Sequence, residues 1–201
     1  MVVVTIAAIV AAFAVPKLKE FLNSTRISGD AHNLAEEVTV AKMRAAADFT
    51  QARIHVDLAA QTYQLEACTK NVAGASTNCA GAGYSWLNAN GRALEGPFPL
   101  SQGVTFGTAG VGAPPANTQT ALGQAPPCRD STPAAAVIAN SACIIFNSRG
   151  LSVDGTANEL PTSNNAFYIT HGEQVFGVTV STTGLIQTWA AAVNGSGFSA
   201  R

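Results

Sequence analysis

The chain has 201 residues, of which 47% are hydrophobic and 11% charged, with a formal net charge of −1. Soluble proteins average about 25% charged residues, so this composition agrees with an exported protein, and a near-neutral balance supplies no field for gathering nucleic acid or anionic lipid. Beyond one long helix, the length leaves room for one modest domain.

The first fifteen residues, MVVVTIAAIVAAFAV, carry no charge. As a helix they span about 22 Å, whereas a hydrocarbon core of ~30 Å needs roughly 20 residues. Val2, Val3, Val4, Ile6, Ile9, Val10, Phe13 and Val15 therefore read as most of a membrane anchor. A secretory signal peptide is the rival reading, but no basic segment precedes the run and helical patterning, not a cleavage site, comes after it. Pro16 predicts a kink. Beyond it Ile27, Ala31, Leu34, Val38, Ala41 and Ala45 recur at steps of three or four, with Lys19, Arg26, Asp30, Glu37, Lys42 and Arg44 largely on the other side. The spacing predicts one bent helix from about Val2 to Phe49, with Gly29 as a second soft point.

The remainder of the chain reads as β. Arg53–Leu58 and Thr62–Cys68 alternate around Ala59-Ala60-Gln61 and predict a hairpin. Further strands are expected at Tyr84–Leu87, Val104–Phe106, Ile144–Phe146, Ala166–Thr170, Val175–Ser181 and Leu185–Trp189, with Thr182-Thr183-Gly184 joining the last two. Between Gly96 and Pro127 there is no charge and much Gly, Pro, Ala and Thr, which predicts loop around the lone strand at Val104–Phe106. Residues 194–201 are expected to fray.

Cys68, Cys79, Cys128 and Cys143 lack the two-residue spacing of zinc knuckles, and no histidine lies near them, so disulfides are the better reading. Three connectivities are open in principle. Cys68 with Cys79 and Cys128 with Cys143 is favoured because each pair closes a short loop, worth on the order of 3 kcal/mol in the chain-entropy model.

Chemistry is sparse. His32, His55 and His171 are far apart on helix, strand and turn, and none is assigned as ligand or base; His55 is expected to line a sheet face. Gly107–Gly112 is glycine-rich, but no lysine comes next and Pro114-Pro115 forbids the helix that a phosphate cradle needs. Glu36, Glu37 and Asp48 read as solvated carboxylates, and Ser148 beside Arg149 lacks the glycines of a nucleophile elbow. No enzyme, cofactor or metal site is expected.

The segment Val2–Pro16 resembles the N-terminal helix of type IV pilins and pseudopilins, whose mature chains open with an aromatic residue, an apolar run and a glutamate and place a proline some twenty residues in. Aligned on Pro16, this chain lacks the first six mature residues, that glutamate and the leader cut by prepilin peptidase; six more residues would lift the apolar span to ~31 Å. Helix, then Ala52–Leu58, then a cysteine-closed strand is similar to the GspH/FimT branch of minor pilins, and Ile144–Gly150 and Gly177–Gly184 look like its two C-terminal signatures. The anchor match covers about forty residues, the head match is looser, and the middle third matches nothing.

This resemblance implies an α+β, pilin-like fold, a long N-terminal helix on an antiparallel β-sheet head. It divides the chain into a transmembrane half-helix at 1–15, an amphipathic half at 16–49, a β-rich periplasmic head at 50–193 and a flexible tail at 194–201. It implies a minor pilin or pseudopilin of a type IV pilus or type II secretion pseudopilus, held single-pass in the bacterial inner membrane before assembly. The implied partners are other pilins through the helix and prepilin peptidase on the precursor. The alternative is a DNA-binding minor pilin for DNA uptake. Pilins of that kind carry arginine after the late glycine, where this chain has Gly184-Leu185-Ile186-Gln187. From Ala45 on, six basic residues face eight acidic ones. Phosphate binding draws on clustered cations, so only a patch of Arg92, Arg129, Arg149 and Arg201 would favour DNA. A membrane-anchored enzyme or adhesin using Gly96–Pro127 is the third reading.

Overall fold

A computed structural model describes residues 2–70, 79, 84–86, 93–130, 136–155 and 160–201, without the side chains of 2–13, 15, 16, 70 and 84. Helix α1 (Val2–Ala47) runs uninterrupted through Pro16. The anchor side chains expected at Val2, Val3, Val4, Ile6, Ile9, Val10, Phe13 and Val15, and the Pro16 ring expected to kink the helix, lie outside the described residues. Phe49 adopts φ +49°, the left-handed turn usually given to glycine, and the amide of Thr50 closes on the carbonyl of Ala45. The helix therefore stops two residues before the sequence predicts.

The fold is α+β, as expected, and among the described residues the antiparallel head holds two five-stranded sheets. β1 (Ala52–Asp57), β2 (Thr62–Ala67), β5 (Glu95–Pro99), β7 (Ser141–Phe146) and β8 (Ser152–Val153) form the first, in the order β5-β2-β1-β7-β8. β6 (Thr105–Phe106), β9 (Asn165–His171), β10 (Gln174–Val180), β11 (Ile186–Ala192) and β12 (Ser199–Ala200) form the second, in the order β12-β11-β10-β9-β6. A ribbon of β3 (Thr69–Lys70) and β4 (Tyr84–Ser85) stands apart, and Leu87, expected to extend the latter, lies outside the described residues.

Both sheets turn one face to α1. Ile27, Ala31, Leu34, Val38, Ala41 and Ala45, the stripe set by the sequence periodicity, are fully buried against Ile54 and Val56 of β1, Leu65 of β2, Ile144 and Phe146 of β7, Phe167 and Ile169 of β9, and Val178 and Val180 of β10. Each large side chain taken from water here is worth ~1.5–3 kcal/mol. The helix lies in a saddle between two sheets, so its flanks are touched as well. Asp30, expected on the wet side, is buried and accepts from the amide and hydroxyl of Ser101, and Lys42 donates to the carbonyl of Gly184 at 3.0 Å.

Each sheet also has a covered outer face. On the first sheet Ile145 and Val153 pack with both disulfides and Trp86; on the second, Ala166, Tyr168 and Val175 pack under Val111. The uncharged stretch expected to be loop supplies that second cover. Gln124 bonds Tyr168 twice, its side-chain amide donating to the Tyr168 carbonyl at 2.7 Å and its carbonyl accepting from the Tyr168 amide at 3.0 Å. The same stretch begins inside β5, whose Pro97 and Pro99 blunt an edge strand. β7 is consequently buried on both faces, which is why Ser141–Phe146 shows no alternation. The tail expected to fray pairs instead, Ser199 and Ala200 with Ala190 and Trp189, and Phe198 packs on the Tyr168 ring at 5.3 Å.

Candidate assembly surface

Four features of the molecule have functional potential: a buried polar cluster, a contact between two turns, an exposed helix ridge and an open groove. The cluster grows from the β1–β2 hairpin, whose register places Arg53 opposite Glu66 and His55 opposite Gln64. Arg53 is 3% exposed and Glu66 1%. The Arg53 guanidinium donates to Glu66 and, at 2.6 Å, to the carbonyl of Arg129, and lies 4.1 Å over the Trp86 ring. The other Glu66 oxygen is shared by His55 Nδ1 at 2.9 Å and the amide of Gln64. Burial alone would push the Glu66 carboxyl up, but the His55 hydrogen bond and the Arg53 charge outweigh it and hold the group below the usual carboxylate range. Burial lowers Arg53, with Glu66 opposing. Both Glu66 oxygens are engaged, and the space beside Arg53 is about 10 Å³, too small for a ligand. The cluster is a fastener. It joins the loops that carry the disulfides Cys68–Cys79 and Cys128–Cys143, which are the two pairings favoured from the sequence.

The second feature brings the two C-terminal phrases together. The turn Asn147–Gly150 and the turn Ser181–Gly184 are each closed by an amide-to-carbonyl bond. Gly150 and Gly184 have φ of +72° and +77°, and a Cβ on Gly184 would stand 2.2 Å from the Gly150 carbonyl oxygen. Lys42 lies across both, its stem near Gly150 and its ammonium on Gly184. The sequence marks both phrases but not their meeting, and its periodicity puts Lys42 only on a wet face.

The other residues singled out in the sequence are not gathered. His32 is exposed on α1, His55 belongs to the cluster above, and the Nδ1–H of His171 donates to the Gly103 carbonyl at 2.7 Å. Arg129 lines a hollow with Cys143 and Gly155 on the first sheet, while Arg201 lines a groove beside β11 on the second. Arg149 is exposed in the β7–β8 turn, and Arg92 lies outside the described residues. The arginines Arg129 and Arg201 thus stand on different sheets. Glu37 is half-buried and one of its oxygens has no hydrogen-bond partner; desolvation, then the charges of Glu95 and Glu36, raise its pKa.

The ridge is Leu18, Phe21 and Leu22, exposed by 59%, 66% and 44% at helical spacing, ahead of the buried stripe that begins at Ile27. Among the described residues no helix is long and apolar enough to cross a membrane. The groove, of about 610 Å³, runs between α1 and the outer edge of β11 and has Ala35, Val40 and Met43 on one wall and Ile186 on the other.

These features define an α+β protein in which one long helix packs on antiparallel sheets and carries exposed apolar residues at Leu18, Phe21 and Leu22, ahead of its buried stripe. The sequence matches no protein-family model, and no curated protein or solved structure matches it either.

Proposed function

We propose that the chain is a minor pilin or pseudopilin, a structural subunit whose N-terminal helix packs with other subunits in the core of a type IV pilus or type II secretion pseudopilus while the β head faces outward. The observation that carries this reading is the split of α1. Its C-terminal half buries the stripe from Ile27 to Ala45 against the head, while Leu18, Phe21 and Leu22 ahead of it are left in water. Apolar area on that scale at one helix face favours burial against a partner. The two disulfides agree with a head on the oxidising side of a membrane. The uncharged run from Met1 to Val15 supports an inner-membrane anchor before assembly.

The DNA-uptake reading lacks a comparable observation, because Arg129 and Arg201 line separate hollows. The test replaces Leu18, Phe21 and Leu22 by serine in the full-length chain and tracks it through cell fractionation. The expected outcome is loss from the sheared or sedimentable filament fraction by tenfold or more, with the melting temperature of the head unchanged. Equal partition of variant and parent into filaments would sink the proposal.

A further inference from the structure

The groove beside β11 is half of a contact whose other half lies on the same chain. Its helix wall carries Ala35, Glu36, Val40 and Met43, beside the fully buried stripe; Ala35 and Val40 are partly buried against the core and also line the groove. Its other wall is the open end of β11. β12 pairs only with Trp189 and Ala190, and the last bonds on that edge join Arg201 to Thr188, so Ile186 faces the groove beyond the end of β12. Met43 remains 57% exposed. The groove carries one carboxylate at mid-wall, Glu36, and one guanidinium at its strand end, Arg201.

The ridge has the matching pattern. Lys17 precedes Phe21 by four residues, as Glu36 precedes Val40 by four, so two parallel helices offset by about 19 residues bring Lys17 to Glu36 and Phe21 to Val40 together. Glu20 then comes to the level of Thr39. Lys17 and Glu20 now hold each other at 3.0 Å with both side chains mostly in water, a pair of little worth that exchanges readily for intermolecular ones.

We infer that the groove between α1 and β11 receives the Leu18–Leu22 ridge of a second copy of this chain, in parallel register, with Lys17 on Glu36 and Phe21 on Val40. This rests on the assembly reading above and deepens it by naming the partner surface. Ridge and groove are different patches of one chain, so the contact is heterologous and does not close on itself. Repeated, it gives an open array in which contacting copies are displaced along the helix by about 28 Å at ~1.5 Å per residue.

The test places the photo-crosslinker p-benzoylphenylalanine at position 21 of the full-length chain and maps the cross-linked peptides by mass spectrometry. The expected product joins position 21 to residues 35–43 or 186–188 of another copy. Its yield falls several-fold with Glu36→Lys and returns when Glu36→Lys is combined with Lys17→Glu, a rescue that general misfolding would not show. A cross-link to residues 18–22 of the other copy would overturn the groove and leave the filament reading standing. Absence of any copy-to-copy product overturns it too, and sedimentation of the same sample then shows whether the filament reading falls with it.

Discussion

Glu66 shows how a buried ion can serve cohesion when both of its oxygens are engaged. Removing Arg53 and Glu66 from water costs several kcal/mol per ion, which is offset only by their mutual contact, the Arg129 carbonyl, His55, Gln64 and the Trp86 face. Glu66→Gln leaves the Arg53 charge buried without its counter-ion, and we expect a loss of about 3–5 kcal/mol in urea unfolding. The pH dependence has a definite sign. The folded carboxyl titrates below its unfolded value, so its contribution is fully present above the unfolded value and disappears as pH falls through the folded one. The parent should therefore lose stability on acidification more steeply than Glu66→Gln; parallel acid limbs for the two would refute the assignment. This pairing was legible only as far as the hairpin itself, whose register the sequence left open. Trp86 and the Arg129 carbonyl were not, since they come from distant loops that no local pattern connects to β1.

Among the elements, the helix was the most legible and the middle of the head the least. The stripe Ile27 to Ala45 repeats at the helical period and is buried as that period demands. β5 begins with Glu95-Gly96-Pro97, a string that signals turn by composition and is held as a strand only by pairing with β2. The contact between the β7–β8 and β10–β11 turns is likewise tertiary. A methyl group on Gly184 would meet the Gly150 carbonyl oxygen at 2.2 Å and would also have to adopt φ +77°. Gly172, at φ +60°, has open space around its added Cβ and isolates the cost of the backbone conformation. We expect Gly184→Ala to cost about 1–3 kcal/mol more than Gly172→Ala, read from denaturation midpoints. Equal costs would mean that the two turns do not bear on each other.

At the scale of the whole molecule, three apolar clusters among the described residues share the two five-stranded sheets. The central one depends on α1, while the outer cluster of the first sheet depends on two disulfide-closed loops that meet at Arg53. Cys68–Cys79 lies beside Trp86 and Cys128–Cys143 beside Arg129, and Arg53 touches both residues at once. Each disulfide constrains the unfolded chain by about 3 kcal/mol, so replacing either pair by serine should lower stability by an amount of that order. The two losses should not add. Once one loop is released, Arg53 has already lost a partner, and freeing the second removes less than it would from the intact head. A double-mutant cycle should therefore show a coupling of about 0.5–3 kcal/mol, with the combined loss smaller than the sum. Additivity to within ~0.5 kcal/mol would show that the loops are held independently, and that Arg53 adds charge to the head without tying its parts together.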